Sequence, residues 1–152
     1  DVVNKNDDEK IIEDNDDVSG NWSCYLICSM NKRNNNRTYI GMTNNLTNRL
    51  SEHNSTKKSS KGAKYTKIGQ PYKFVYTVTG FKTRSEACMF EWRWKRIRRI
   101  RKKDDGYLNR KDDKYFNIKN RVIDMFKLLN MDKWTSRSPL SHGYKLYLKH
   151  YT

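Results

Sequence analysis

Apolar and β-prone residues gather in short runs early in the chain and at helical spacing later. Trp22-Ser23-Cys24-Tyr25-Leu26-Ile27-Cys28-Ser29 reads as a strand, and Arg37-Thr38-Tyr39-Ile40-Gly41-Met42-Thr43 as a second. The polar loop between them, residues 30–36, predicts an antiparallel hairpin. Gly41 lacks a side chain inside the second run, where something must approach closely. Asn44 or Asn45 can cap the next helix. On that helix Leu46, Arg49, Leu50 and His53 fall at i, i+3, i+4 and i+7. Arg49 and His53 therefore point the same way as the leucines that anchor the helix on the sheet.

Residues 71–79 form the third strand. Gly80-Phe81-Lys82 then lead into a tight turn, and Thr83 with Glu86 makes a capping box for the second helix. Ala87, Phe90, Glu91 and Trp94 share one face of it. The helix continues through residues 95–103, of which seven are basic. Such a stretch covers nearly every azimuth and repels itself without a polyanion. Residues 114–131 carry Phe116, Ile118, Val122, Ile123, Phe126, Leu128, Leu129 and Met131, the pattern of an amphipathic helix. Trp134, Pro139, Leu140 and residues 144–151 close the chain as a strap packed on the body. The expected fold is α+β, a three-stranded antiparallel sheet flanked by helices, with an extra C-terminal helix.

A chain of 152 residues with 35% hydrophobic positions suits one domain with a modest core. Four Trp, ten Tyr and five Phe make that core aromatic-rich. No apolar run is long enough to span a membrane, and no secretory signal is present. Cys24, Cys28 and Cys88 form no C-x-x-C pair, which argues against a disulfide framework and a zinc site. Neither a P-loop nor a dinucleotide fingerprint occurs.

Charge changes the picture. Residues 1–19 hold eight acidic and two basic residues, whereas residues 20–152 hold 30 basic and nine acidic ones. We divide the chain into an acidic disordered leader (1–20), a core with a basic helix extension (21–103), and a C-terminal helix and strap packed on that core (104–152). A strongly basic body points to a nucleic-acid partner. Lys57, Lys58, Lys61, Lys64 and Lys67 lie in a loop over 54–70 with little to bury, expected to be mobile until it meets a polyanion. With Lys95, Arg96, Arg98, Arg99 and Arg101 they would grip phosphates without reading bases. Recognition of DNA shape fits better than a sequence-specific site. Trp92, Tyr65 and Tyr72 are candidates for stacking on an unpaired base.

Glu91 is the one acidic residue on an otherwise apolar face. A carboxylate beside Phe90 and Trp94 is costly to bury unless a basic side chain neutralises it or it holds a metal. Residue by residue the bland account holds: Tyr25 and Tyr39 are strand aromatics, and Glu91 bridges to Arg49.

Taken together, Ser23-Cys24-Tyr25, Tyr39-Ile40-Gly41, Arg49, His53 and Glu91 resemble the GIY-YIG nucleases. His53-Asn54, Lys61-Gly62-Ala63-Lys64-Tyr65-Thr66, Pro71-Tyr72 and Gly80-Phe81 through Ala87, Phe90, Glu91, Trp92 and Trp94 look like the Slx-type structure-specific endonucleases. The likeness runs over residues 22–150. Ser23-Cys24 stands where the family has Gly-Ile, but Tyr25 is kept.

The resemblance implies a structure-specific endodeoxyribonuclease that cuts branched DNA, flaps or junctions, in repair or recombination. Tyr25, Tyr39, Arg49, His53 and Glu91 would be catalytic, with Glu91 holding one Mg²⁺ or Mn²⁺. Arg49 would contact the phosphate bidentately. Tyr25 or Tyr39 would serve as general base or position the water, and a nearby Arg, Lys or metal can favour the phenolate. His53 takes or relays that proton, or only fixes the geometry.

No Cys/His cluster matches the RING finger that normally follows this nuclease domain, so scaffold binding is not carried over. A scaffold subunit and a homo-oligomer stay open as partners. The expected location is intracellular: the nucleus, or a viral replication site if the chain is viral. The alternative is a non-catalytic basic nucleic-acid-binding module. A mobile-element or restriction-type member of the family needs a target-reading domain, and none is visible.

Overall fold

The computed structural model describes residues 21–57, 61–104, 117–141 and 145–152. The leader, Lys58 and residues 105–116 lie outside the described residues, as does Phe116. Strands β1 (Trp22–Ser29) and β2 (Thr38–Thr43) form the hairpin. Helix α1 (Leu46–Asn54) follows, then β3 (Tyr72–Phe81), α2 (Arg84–Asp104), α3 (Ile118–Leu129) and β4 (Tyr147–His150). The sheet runs β2-β1-β3-β4 with every pair antiparallel.

The fold is α+β, but the sheet has four strands rather than the expected three. The closing strap pairs Tyr147–His150 with Thr79–Tyr76. Without it, β3 would be an edge with unpaired backbone groups. Leu146 and Leu148 turn into the core and hold the strap down.

Local signals account for the helix ends. Asn45 accepts from Asn48 N at the start of α1, as Asn117 does from Asn120 N at α3. Thr83 Oγ1 accepts from Glu86 N at 3.2 Å, while Glu86 reaches back to Lys82 N at 3.1 Å. That is a capping box shifted by one residue on its return bond.

The two faces of β1 bury different things. Cys24, Leu26 and Cys28 face the main core, with Ile40, Val78, Phe81, α2, α3 and Trp134. Phe81, Phe90 and Trp134 meet edge to face or tilted, with ring centroids 5.1–5.5 Å apart, a geometry that adds to simple area burial. Trp94 places its indole N–H on the Arg121 carbonyl at 2.9 Å, so its polar end is satisfied. Tyr25 and Ile27 face the other way, with Tyr72 and Phe74, under Leu46 and Leu50 of α1.

The described part of the 54–70 loop is not loosely held, contrary to the expectation. Gln70 donates to the carbonyls of His53 (2.6 Å) and Ser55 (3.0 Å). Asn54 exchanges two bonds with the Tyr72 backbone. Residues 64–67 form a 3₁₀ turn with Thr66 fully buried. Polar side chains supply the anchoring that apolar burial does not, which a hydrophobicity reading misses.

Candidate active site

Tyr25 sits opposite Gly41 in the β1–β2 register. Its phenol crosses that glycine, and a Cβ at position 41 would collide with the hydroxyl. The close approach inferred from the sequence is therefore to Tyr25. The phenol ends 2.7 Å from His53 Nε2, and His53 Nδ1 lies 2.8 Å from Thr66 Oγ1. Thr66 gives its one hydroxyl proton to the Ala63 carbonyl at 2.8 Å. It must accept from His53, so Nδ1 carries the proton and Nε2 is bare. Tyr25 consequently donates to Nε2. Its oxygen in turn accepts from Arg49 Nε at 3.2 Å.

Burial governs the protonation of this chain. It pushes the Tyr25 phenol well above its usual value, and the Arg49 bond pulls the other way without prevailing. His53 is pushed down to about 4, first by burial and then by the Arg49 charge. Both groups are neutral near pH 7. Burial also works against the Arg49 charge, but its bonds to Glu52 and Tyr25 outweigh that and raise it further.

Arg49 Nη1 meets Glu52 at 2.6 Å and the Lys61 carbonyl at 2.9 Å. Gly62 makes this possible, because a Cβ there would strike the Glu52 carbonyl. Two of the three guanidinium nitrogens are thus engaged within the protein. The Arg49 side chain keeps 23% of its surface, whereas Tyr25 and His53 keep none.

Tyr39 is half-buried. Its ring lies 5.1 Å from His53 and stacks on Tyr65 at 6.1 Å. The Arg37 guanidinium covers Tyr65 at 3.6 Å. The Lys95 ammonium lies 5.3 Å from the Tyr39 ring centroid. Lys95 also reaches Glu91 Oε1 at 2.7 Å. Glu91 is therefore neutralised by a basic side chain, and its partner is Lys95 rather than Arg49. The Glu91 charge is a lesser cause, after burial, that raises the Tyr25 phenol. Helix α2, which carries Glu91, packs against β1 and β2.

A metal at Glu91 would have one protein carboxylate. Among the described residues no group of three His, Cys, Asp or Glu could hold an ion. That donor set suits a hard divalent cation that keeps most of its waters. The Lys95 ammonium occupies the Glu91 Oε1 oxygen at 2.7 Å, so an ion bound there would have to share or displace it.

The basic residues divide. Lys57, Lys61 and Lys64 are exposed. Lys67 donates to the Ser55 and Lys57 carbonyls at 3.2 and 3.4 Å, tying the loop. Arg96 lies over the Trp92 ring at 4.7 Å. Arg98 forks onto Asp124 with two bonds of 3.0 Å and joins α2 to α3. Lys58 and the side chains of Arg99 and Arg101 lie outside the described residues. Trp92 and Tyr65 are exposed, but Tyr72 is buried and donates to the Ile68 carbonyl at 2.6 Å, which removes it as a stacking platform. Glu52, which holds Arg49, was assigned no role by the sequence reading, and neither was Thr66. The latter stood in plain view at the end of Lys61–Thr66, but a loop threonine shows no periodicity.

The GIY-YIG catalytic domain family matches residues 21–104. An uncharacterized protein of Acanthamoeba polyphaga mimivirus is 41% identical over 81 residues, covering 53% of this chain and 46% of that protein. Structure-specific endonuclease subunit SLX1 of Cryptococcus neoformans var. neoformans is 36% identical over 91 residues, 57% of this chain and 18% of that one. The slx1 subunit of Schizosaccharomyces pombe is 33% identical over 81 residues, 53% and 29% respectively. The chain thus spans less than half the length of each relative. The family match runs from β1 to the end of α2 and contains Tyr25, Tyr39, Arg49, His53 and Glu91, so the chain belongs to the GIY-YIG nuclease family.

Proposed function

We propose that the chain is a metal-dependent endonuclease that cuts branched DNA, flaps or junctions, in repair or recombination by single-metal phosphodiester hydrolysis. The observation that carries it is the meeting of Tyr25, Arg49 and His53 in one bonded unit, with Tyr39 against His53 on one side and near Lys95, the partner of Glu91, on the other. A purely structural Glu91–Lys95 pair does not explain why a carboxylate of this basic helix is held, through Lys95, close to the Tyr39 ring.

Burial divides the roles. Tyr25 and His53 keep no exposed surface, so they are positioning residues that hold Arg49. The Arg49 Nη2 edge then meets a non-bridging phosphate oxygen, and a two-nitrogen clamp requires release of Glu52. Tyr39 is the tyrosine with exposed surface and takes the water-facing role of general base or water positioner. Glu91 would hold one Mg²⁺ or Mn²⁺, which when bound neutralises charge on the phosphate and assists the leaving oxygen. Lys57, Lys61 and Lys64 would contact phosphates away from the cut. The absence of a base-reading element among the described residues favours recognition by shape.

The test is cleavage of labelled 5′-flap, junction and linear duplex DNA in Mg²⁺ or Mn²⁺, wild type beside Glu91→Gln. Branch-selective cutting by wild type alone supports the reading. Equal binding by both proteins with no cutting in either metal overturns it in favour of a non-catalytic binding module.

A further inference from the structure

Lys95 stands four residues after Glu91, so both lie on one helix face. Its ammonium is 2.7 Å from Glu91 Oε1 and 5.3 Å from the Tyr39 ring centroid. The pair is sheltered, with 32% of the lysine side chain and 17% of the glutamate exposed. Sheltering strengthens an ion pair relative to one in open solvent. A divalent cation cannot approach the same oxygen while the ammonium occupies it, because the two positive charges repel at short range.

We propose that Lys95 is a resident counter-ion that closes the Glu91 site until a divalent cation replaces it. The inference rests on the reading of Glu91 as the metal ligand. It adds a positioning residue with two states. In the first, Lys95 neutralises Glu91, so the carboxylate keeps its charge in a half-buried place without a metal. In the second, the ammonium leaves Glu91 but stays near Tyr39, whose ring face attracts a cation. From there the flexible lysine stem carries the charge toward an incoming phosphate. Metal entry and phosphate binding are then coupled, since each favours the same departure of Lys95 from Glu91. The fold builds this device from one helix turn, and no other element has to move.

Binding, rather than cutting, tests the idea. The ¹⁵N-labelled, DNA-free chain is titrated with Mn²⁺, and paramagnetic line broadening is followed at the amides around Glu91. Wild type, Lys95→Met, Lys95→Arg, Glu91→Gln and the Glu91→Gln/Lys95→Met double variant are compared, with the dispersion of each spectrum reporting folding. Lys95→Met should lower the Mn²⁺ concentration at half-broadening by about two- to fivefold, the scale of losing one such ion pair. Lys95→Arg keeps the pair and should not lower it. Glu91→Gln should abolish the local broadening in both backgrounds. An unchanged midpoint in Lys95→Met, with broadening that Glu91→Gln removes, overturns the role of Lys95 and leaves the metal reading intact. Broadening that survives Glu91→Gln, or none in any protein, overturns both. If Lys95→Met loses its dispersed spectrum, Lys95→Gln replaces it under the same criteria.

Discussion

The Tyr25 hydroxyl donates to His53 Nε2 at 2.7 Å, and Thr66 decides that direction from the other side of the imidazole. Because Thr66 spends its proton on Ala63, it can only accept from Nδ1. A loop residue therefore sets the tautomer of a helix residue, which in turn fixes a strand tyrosine and, through it, Arg49.

Removing Thr66 tests that order. Thr66→Val leaves the buried Nδ1–H without an acceptor, which costs about 1–3 kcal/mol. Urea unfolding should show the loss. Single-turnover cleavage should also slow, and Thr66→Ser, which keeps the hydroxyl, should restore both. A Thr66→Val protein of wild-type stability and rate would exclude the tautomer argument.

The two tyrosines should separate in rate and stability. Tyr39→Phe is expected to slow single-turnover cleavage by about 10²–10⁴-fold, the range for a lost general base, with little change in melting temperature. Tyr25→Phe removes the donor to His53 and the acceptor of Arg49. It should slow cleavage less and destabilise the fold by about 1–3 kcal/mol. The reverse ranking would move the water-facing role to Tyr25.

Acid should weaken the fold through His53. Its folded value near 4 lies below that of the unfolded chain, about 6.5. Between those values the unfolded chain binds the proton and the folded one does not. The contribution is present above about pH 6.5 and is lost as pH falls toward 4, with an upper size of about 3 kcal/mol. Thermal melts across that window check it, and His53→Gln should flatten the difference. Equal pH slopes in the two proteins would place the acid sensitivity elsewhere.

Gly41 should tolerate no side chain. Gly41→Ala drives a methyl group into the Tyr25 phenol. Forced overpacking of this kind costs about 1–3 kcal/mol, measurable in urea. Cleavage should fall with it, because the phenol leaves His53 and Arg49. Tyr25→Phe should relieve part of the strain in the double variant, and a purely additive result would argue against this contact.

Arg98 and Lys64 are both basic, yet they should behave oppositely. Arg98→Gln strands the buried Asp124 carboxylate and should cost about 2–4 kcal/mol, with the salt dependence of DNA binding unchanged. Lys64→Gln should leave stability alone and reduce the log–log salt slope of binding by about 1. Titrations at several salt concentrations beside denaturant melts distinguish the two.

Much of the fold was legible because its signals are local. The hairpin, α1 and α2 follow from alternation, helical spacing and caps at Asn45 and Thr83. The shared face of Arg49 and His53 follows from the 3.6-residue period. Strand β4 was read as a strap because four residues ending in Lys149 and His150 show no alternation strong enough to mark a strand. Its pairing is decided by the open edge of β3. Arg98 looked like one cation among seven, since nothing in sequence connects it to Asp124, 26 positions on.

The sequence by itself determined the α+β class and the elements from β1 to α2, and it offered Tyr25, Tyr39, Arg49, His53 and Glu91 as candidates for a site. Side-chain type and period are local properties, and they survive without knowledge of what packs where. The tertiary structure decided the partners of those residues, two of them, Thr66 and Glu52, not singled out by the sequence: Tyr25 over Gly41, His53 between Tyr25 and Thr66, Arg49 held by Glu52, and Glu91 held by Lys95. Those choices depend on distances of a few ångströms between chain segments far apart in sequence. Burial then sets which tyrosine is enclosed and which meets solvent, and only the packed fold supplies it.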